Sequence, residues 1–293
     1  MVAPDAGPYS GLNKPLGNNV SGPLLVGNKR RTRKSYFPGL HGQMHVWMAK
    51  PDAPPATPLM CFHASPLSGR IFEFFLDEMG EDRWAIAPDT PGYGQSDAPT
   101  RPIGIAGYAA AMAHLLDELQ IAEVDLLGYA TGSFIAAELA RQRPDSVRRL
   151  VLFGAPILAP VDAASLDDRF GHEIEPQADG SHLIPLWQQI YDERGPLQTL
   201  DWLMYVFPDH ILAGPRKPWA PKAAFAYDLG QTLQQLHQPI LVLNIAGQIY
   251  ATTARCEPYL NNGRLLDLPD WGHGFLQAQP RETAHLVREF LDG

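Results

Sequence analysis

Cysteine is nearly missing from this chain: two thiols, Cys61 and Cys256, in 293 residues. Two thiols cannot form the bridge framework of a small secreted domain, and neither has a Cys-x-x-Cys partner or zinc-ligand spacing. Cys61 lies in the apolar run Leu59-Met60-Cys61-Phe62 and reads as core. Excess positive charge is missing too. Lys and Arg number 23 against 32 Asp and Glu, a formal net charge of −9, which favours solubility and gives no pull toward nucleic acid. The one basic run, Lys29-Arg30-Arg31-Thr32-Arg33-Lys34, reads as a solvated edge strand protected by its charges rather than a polyanion patch. No apolar window approaches the ~18 residues of a membrane helix. Residues 1–28, rich in Pro, Gly and Asn, lack the charged start and apolar stretch of a signal peptide. The expectation is a cytoplasmic monomer or homodimer with no membrane or nucleic-acid partner. Metal-ligand clusters, a phosphate-binding glycine loop and a dinucleotide fingerprint are also missing, so no metal and no cofactor are expected.

Apolar residues make up 45% of the chain, enough for one large domain with an insertion, or for two small ones. Two antiparallel-looking strands, 32–37 and 44–49, flank a Gly39-Leu40-His41-Gly42 turn. Strands and helices then alternate: strands at 59–63, 84–88, 124–127, 147–153, 240–244 and 264–268, and helices at 69–79, 108–119, 133–143 and 281–291. Short apolar strands alternating with helices imply a mostly parallel sheet covered on both faces.

The rhythm breaks between Phe153 and Ile240, where proline-punctuated amphipathic stretches such as 183–193 and 197–207 replace the strands. A helical cap over 158–230 is expected, inserted into a core formed by 1–157 and 231–293, with 1–28 an extended arm. The insertion is dense in aromatics. Some pack it onto the sheet, and Trp187, Trp202, Tyr205 and Trp219 are candidates to line a ligand cavity between the two parts.

Four short segments carry chemistry. His63-Ala64-Ser65-Pro66-Leu67-Ser68 follows the 59–63 strand, and Asp89-Thr90-Pro91-Gly92-Tyr93-Gly94-Gln95-Ser96-Asp97 follows the next. Gly128-Tyr129-Ala130-Thr131-Gly132 lies between a strand and a helix, and Asp270-Trp271-Gly272-His273-Gly274-Phe275 follows the last strand. In this order and context they resemble the α/β-hydrolase superfamily over the chain from about Thr32 to its end. The resemblance implies an eight-stranded-type sheet flanked by helices, with a helical cap. It makes the third segment the nucleophile elbow, a strained turn that lifts its central side chain into the site. It implies oxyanion-hole N–H groups at Ser65 and Thr131, with Ala64 where glycine is usual, a place for Tyr129 in the oxyanion-hole or substrate-binding set, and His273 as the catalytic histidine. The Asp89 loop it implies is largely structural.

Two positions depart from the family pattern. A nucleophile needs an oxygen or sulfur that a histidine can deprotonate, and Ala130 offers a methyl group. The acid should follow the 240–244 strand, where Ile245-Ala246-Gly247-Gln248-Ile249-Tyr250 has no carboxylate; Gln248 takes its place. Glutamine can orient an imidazole but cannot stabilise imidazolium as an anion does, and in serine proteases the comparable Asp-to-Asn change costs about 10⁴ in turnover. The loss of both groups argues for divergence rather than one engineered replacement. The pattern also resembles a less common branch of the superfamily in which histidine precedes Thr-Gly-Ser at the elbow.

Thr131 reads as an N–H donor and Ser133 as a first-turn helix residue rather than as displaced nucleophiles. Ser68 reads as a helix N-cap, Asp270 as a solvated loop carboxylate, Asp162 as too late in the chain to be the acid, and His63 as structural. Three functions stay open. The first is an enzyme using His273 and the N–H groups of Ser65 and Thr131 for non-covalent acid–base chemistry on a small apolar molecule. The second is a non-catalytic binding pseudoenzyme, and the third an esterase-type hydrolase inactivated at position 130. A hydroxyl from elsewhere within reach of the His273 ring would remove the premise that the imidazole has nothing to activate.

Overall fold

The structure, a computed structural model, describes residues 31–195 and 197–293. The expected arm over 1–28, and Lys29 and Arg30 of the basic run, lie outside the described residues. Eight strands form one sheet: β1 (Arg33–Gly39), β2 (Gly42–Ala49), β3 (Ala56–Phe62), β4 (Arg83–Pro88), β5 (Val124–Tyr129), β6 (Val147–Phe153), β7 (Ile240–Ile245) and β8 (Gly263–Leu268). Their order is β1-β2-β4-β3-β5-β6-β7-β8. β1 and β2 form an antiparallel hairpin, β2 runs antiparallel to β4, and every later pairing is parallel.

Burial follows sheet position. Every residue of β5 and β7 is buried, because helices cover both faces of a parallel sheet. A fully buried Leu, Ile or Val in these strands contributes about 1.5–3 kcal/mol by leaving water. β1 is an edge strand of alternating exposure. Its charges have local partners: the Lys34 ammonium lies 4.2 Å over the Trp47 ring, and just before the strand Arg31 pairs with Glu81 at 3.0 Å. Cys61 and Cys256 are free and buried.

The helices are α1 (Glu73–Met79), α2 (Ile105–Glu118), α3 (Thr131–Gln142), α4 (Pro160–Phe170), α5 (Leu183–Asp192), α6 (Leu200–Ala213), α7 (Trp219–Phe225), α8 (Leu229–Gln235), α9 (Tyr250–Thr253), α10 (Phe275–Ala278) and α11 (Pro280–Asp292). The helix expected over 69–79 is split into a 3₁₀ turn, Gly69–Phe72, and α1. Ser68 is not the side-chain cap expected of it, because its hydroxyl is drawn away to the Asp209 carboxylate, 2.8 Å distant. The segment between β6 and β7 is helical, α4 to α8. Within it α6 begins at Leu200 rather than 197, where the Thr199 hydroxyl accepts the Trp202 N–H at 3.1 Å, a side-chain cap that satisfies an otherwise unpaired first-turn donor. The last of these helices, α8, packs on α3 of the sheet layer.

The Asp89 loop ties the molecule together. The Asp89 carboxylate accepts from His45 Nδ1 (2.8 Å), Gly69 N–H (2.7 Å) and Gln95 N–H (2.8 Å). From the same loop the Tyr93 hydroxyl accepts the Ala220 N–H at 2.8 Å and donates to the Arg216 carbonyl at 3.1 Å, tying the helices between β6 and β7 to this loop. Among the described residues no helix is long and apolar enough to cross a membrane.

Candidate active site

β5 ends at Tyr129 and α3 begins at Thr131, so the chain reverses through Ala130 alone. The Ala130 backbone sits at φ +48°, ψ −110°, a region that L-residues hold only when their surroundings force it. The Ala130 N–H donates to the Phe153 carbonyl and the Ser133 N–H to the Ala130 carbonyl, each at 2.9 Å. The flanking glycines are required by close approach. A Cβ on Gly128 would lie 2.4 Å from Ser133 Cα, and one on Gly132 would lie 2.0 Å from the Phe62 carbonyl oxygen.

Ala130 faces a cavity of about 200 Å³ between the sheet and the helices that join β6 to β7, also lined by Ala64, Ser65, Tyr129, Thr131, Gln248 and His273. The backbone N–H groups of Ser65 and Thr131 are taken up by no other described residue. Thr131 is the first residue of α3, where the unpaired N–H groups and the helix dipole favour negative charge.

His273 stands in the loop between β8 and α10. The Ala246 N–H donates to the Trp271 carbonyl at 2.6 Å, joining this loop to the one that carries Gln248. Gly247, at φ +147°, passes beneath the imidazole, and a Cβ there would come within 3.0 Å of Nε2. Nε2 lies 3.2 Å from Gln248 Oε1. A carbonyl oxygen only accepts, so Nε2 carries the proton and donates. In a neutral ring Nδ1 is then the acceptor, and its partner is the Tyr129 hydroxyl, which donates to it. Burial holds the His273 pKa below the ordinary imidazole value, against an opposing pull from Glu193. Burial pushes the Tyr129 phenol the other way, well above its usual range. Both groups are therefore neutral near pH 7.

The residues singled out in the sequence distribute as follows. Ala64, Ser65, Tyr129, Ala130, Thr131, Gln248 and His273 come together around the cavity. Tyr129 supplies the hydroxyl that the motif comparison left His273 without; the pairing spans 144 residues, and no spacing rule announces it. Of the four aromatics expected to line the cavity only Trp202 does so, held by its Nε1–H to Gln277 Oε1 at 3.2 Å. The other three are corrections. Trp187 turns onto Phe207, ring centroids 5.2 Å apart. The Tyr205 hydroxyl is drawn to the Arg70 carbonyl at 2.7 Å, and Trp219 opens α7 outside the lining. Phe170, Phe225, Leu166, His210 and Lys217 line it instead.

Among the remaining candidates, His63 is buried and structural: its Nδ1–H donates to the Ala64 carbonyl at 3.1 Å, and Nε2 accepts the Thr90 N–H at 2.9 Å. Asp162 accepts the Ala159 N–H at the start of α4 and pairs with Arg255, and Asp270 is exposed. Among the described residues no three His, Cys, Asp or Glu side chains gather as metal ligands.

Comparison with known proteins agrees with this architecture. Residues 57–180 match a family model described as the alpha/beta hydrolase fold. The chain is 33% identical over 257 residues to a 2-hydroxymuconate semialdehyde hydrolase of Pseudomonas sp. (strain CF600), covering 82% of this chain and 88% of that protein. It is 26% identical over 250 residues to a poly(3-hydroxyalkanoate) depolymerase of Ectopseudomonas oleovorans, covering 83% and 87%. Among solved structures, the enol-lactonase of Burkholderia xenovorans LB400 superposes with a TM-score of 0.73 over 88% of this chain and all of that one, at 17% identity. Sheet order, elbow geometry and a relative at one-third identity along nearly its whole length agree that this chain belongs to the α/β-hydrolase superfamily.

Proposed function

We propose that the chain is a hydrolase that works without an acyl-enzyme, using Tyr129 and His273 as a proton-transferring pair. The observation that carries this reading is the Tyr129 hydroxyl on Nδ1 of a neutral, buried His273, in a cavity where the elbow centre is a methyl group. The inserted segment, 158–230, acts as a cap that closes an apolar site over a small carbonyl compound. The substrate carbonyl oxygen sits on the N–H groups of Ser65 and Thr131, which hold the oxyanion as it forms. With substrate bound, the phenol turns from Nδ1 to the leaving-group oxygen, an acceptor that strengthens as negative charge develops on it, and this frees the Nδ1 lone pair. Water then attacks the carbonyl carbon and gives its proton to Nδ1. The tetrahedral alkoxide collapses, the bond to the leaving group breaks, and the phenol proton goes to that leaving group. The imidazolium finally returns its proton to the tyrosinate, restoring both residues. Gln248 keeps the ring oriented through Nε2 without supplying an anion, so imidazolium is only weakly stabilised and slow turnover is expected.

A second reading has its own support. The positive φ of Ala130 is retained strain of a kind that serves to present a nucleophile, which fits an esterase inactivated at that position. One experiment separates the two. Wild type, Y129F, H273A and A130S are assayed with p-nitrophenyl butyrate, and intact protein is checked by mass spectrometry for an acyl adduct. The proposal expects slow wild-type turnover without adduct, lost in both Y129F and H273A. An inert wild type with an active A130S, forming an adduct, would replace it with the second reading.

A further inference from the structure

We propose that the cavity carries an anion subsite at the end formed by the inserted helices, built from Lys217 and His210, and that the ligand it takes is a monocarboxylate with an apolar body. This rests on the reading of the cavity as the ligand site. Lys217 lines the cavity and is only 7% exposed. Its ammonium has no hydrogen-bond or ion-pair partner among the described residues. A buried cation without a partner is costly, so its retention against an apolar wall calls for a counter-charge from outside. Glu193, the carboxylate that also lines the cavity, attracts the Lys217 charge through space but forms no ion pair with it; its Oε1 accepts from Arg169 Nε at 2.9 Å and from Gln189 Nε2 at 3.3 Å.

Beside Lys217 in the lining stands His210, neither of whose ring nitrogens has a partner among the described residues; Nδ1 is shut away, which leaves Nε2 as the nitrogen that can meet a ligand. Burial and the neighbouring Lys217 charge keep its imidazole neutral, so it offers one N–H. One ammonium and one neutral donor suit the two oxygens of a single carboxylate. A dianion would bring a second negative charge against walls formed by Phe170, Phe225 and Trp202. The subsite is held in place from the core. The Tyr93 hydroxyl meets the carbonyls of Arg216 and Lys217 at 3.1 and 3.3 Å, and Arg216 Nε donates to the Gly92 carbonyl at 3.1 Å. The cavity of about 200 Å³ has room for one ring and a short chain, given that benzene fits a 150 Å³ cavity.

The test is calorimetric titration of the full chain with 4-phenylbutanoate and with 4-phenylbutanamide, which has the same shape and no charge. Wild type is expected to bind the acid about tenfold tighter than the amide or more. Lys217→Met should bind the amide as wild type does and lose the preference for the acid. Because that change removes an unpartnered buried charge, the variant is expected to fold; Lys217→Gln provides a second version of the same substitution. Equal wild-type affinity for acid and amide overturns the subsite while leaving the cavity reading intact, as does a preference that survives both substitutions. Failure of both probes to bind wild type overturns the subsite and the cavity reading together.

Discussion

The hydroxyl of Tyr129, at the end of β5, is hydrogen-bonded to Nδ1 of His273, 144 residues later in the chain. In this fold the expected partner of that imidazole is the side chain at the elbow centre. Here the centre is a methyl group and the hydroxyl comes from the residue before it. The phenol is stiffly placed: its ring packs edge-on against Phe275, with centroids 5.6 Å apart.

Removing that hydroxyl should change His273 even where no reaction is followed. The bond engages the Nδ1 lone pair and so favours the neutral ring; Tyr129→Phe should raise the His273 pKa toward the ordinary imidazole value. Nitrogen-15 chemical shifts of the ring, followed against pH, report both the pKa and the tautomer. Wild type should show protonated Nε2 and bare Nδ1, and the opposite tautomer would contradict the network. Turnover, where present, should fall by 10²–10⁴-fold, the usual contribution of a positioned acid–base group.

Strain at the elbow predicts a gain in stability on replacing Ala130 by glycine. At φ +48° a glycine pays no Cβ penalty. The relief of about 1–2 kcal/mol is partly offset by the greater freedom of glycine in the unfolded chain. Chemical denaturation should place Ala130→Gly level with wild type or up to about 1 kcal/mol more stable. A loss of more than that would mean the Ala130 methyl is packed rather than strained.

The neighbouring glycine behaves in the opposite sense. A Cβ at Gly132 would sit 2.0 Å from the Phe62 carbonyl oxygen, a backbone atom that cannot turn aside. Gly132→Ala forces α3 and β3 apart and should cost about 3 kcal/mol or more, by the measure of severe overpacking. A Tm within two degrees of wild type would show that the two elements are not so closely packed.

Two adjacent residues, Asp209 and His210, give stability opposite dependences on pH. Burial raises the Asp209 carboxyl to about 6, so between roughly pH 4 and 6 the folded state holds a proton that the unfolded state has released. Its contribution is present at the low end and is lost as pH rises through about 6. Burial lowers the His210 imidazole to about 3, so the unfolded state takes up a proton first, and stability falls as pH drops below about 6.5. Urea denaturation from pH 4 to 7 should therefore show Asp209→Asn gaining on wild type as pH rises from 4 to 6. His210→Gln should gain as pH falls from 6.5. Curves that stay parallel to wild type would remove burial as the cause in either case.

Much of the fold could be read from sequence because it rests on local and periodic signals. Unbroken apolar runs such as 240–243 mark central parallel strands once helices alternate with them, and the two glycines around Ala130 mark a close backbone approach that no other residue permits. The missing nucleophile and the missing acid are equally local facts, visible as Ala130 and Gln248. What the tertiary structure alone decided was which side chains meet. The Tyr129 hydroxyl finds His273, Ser68 turns from its helix to Asp209, and Lys217 with His210 enters the cavity that Trp187, Tyr205 and Trp219 leave. Contacts between residues over a hundred positions apart depend on where independent elements dock. Periodicity within one element carries no information about that placement.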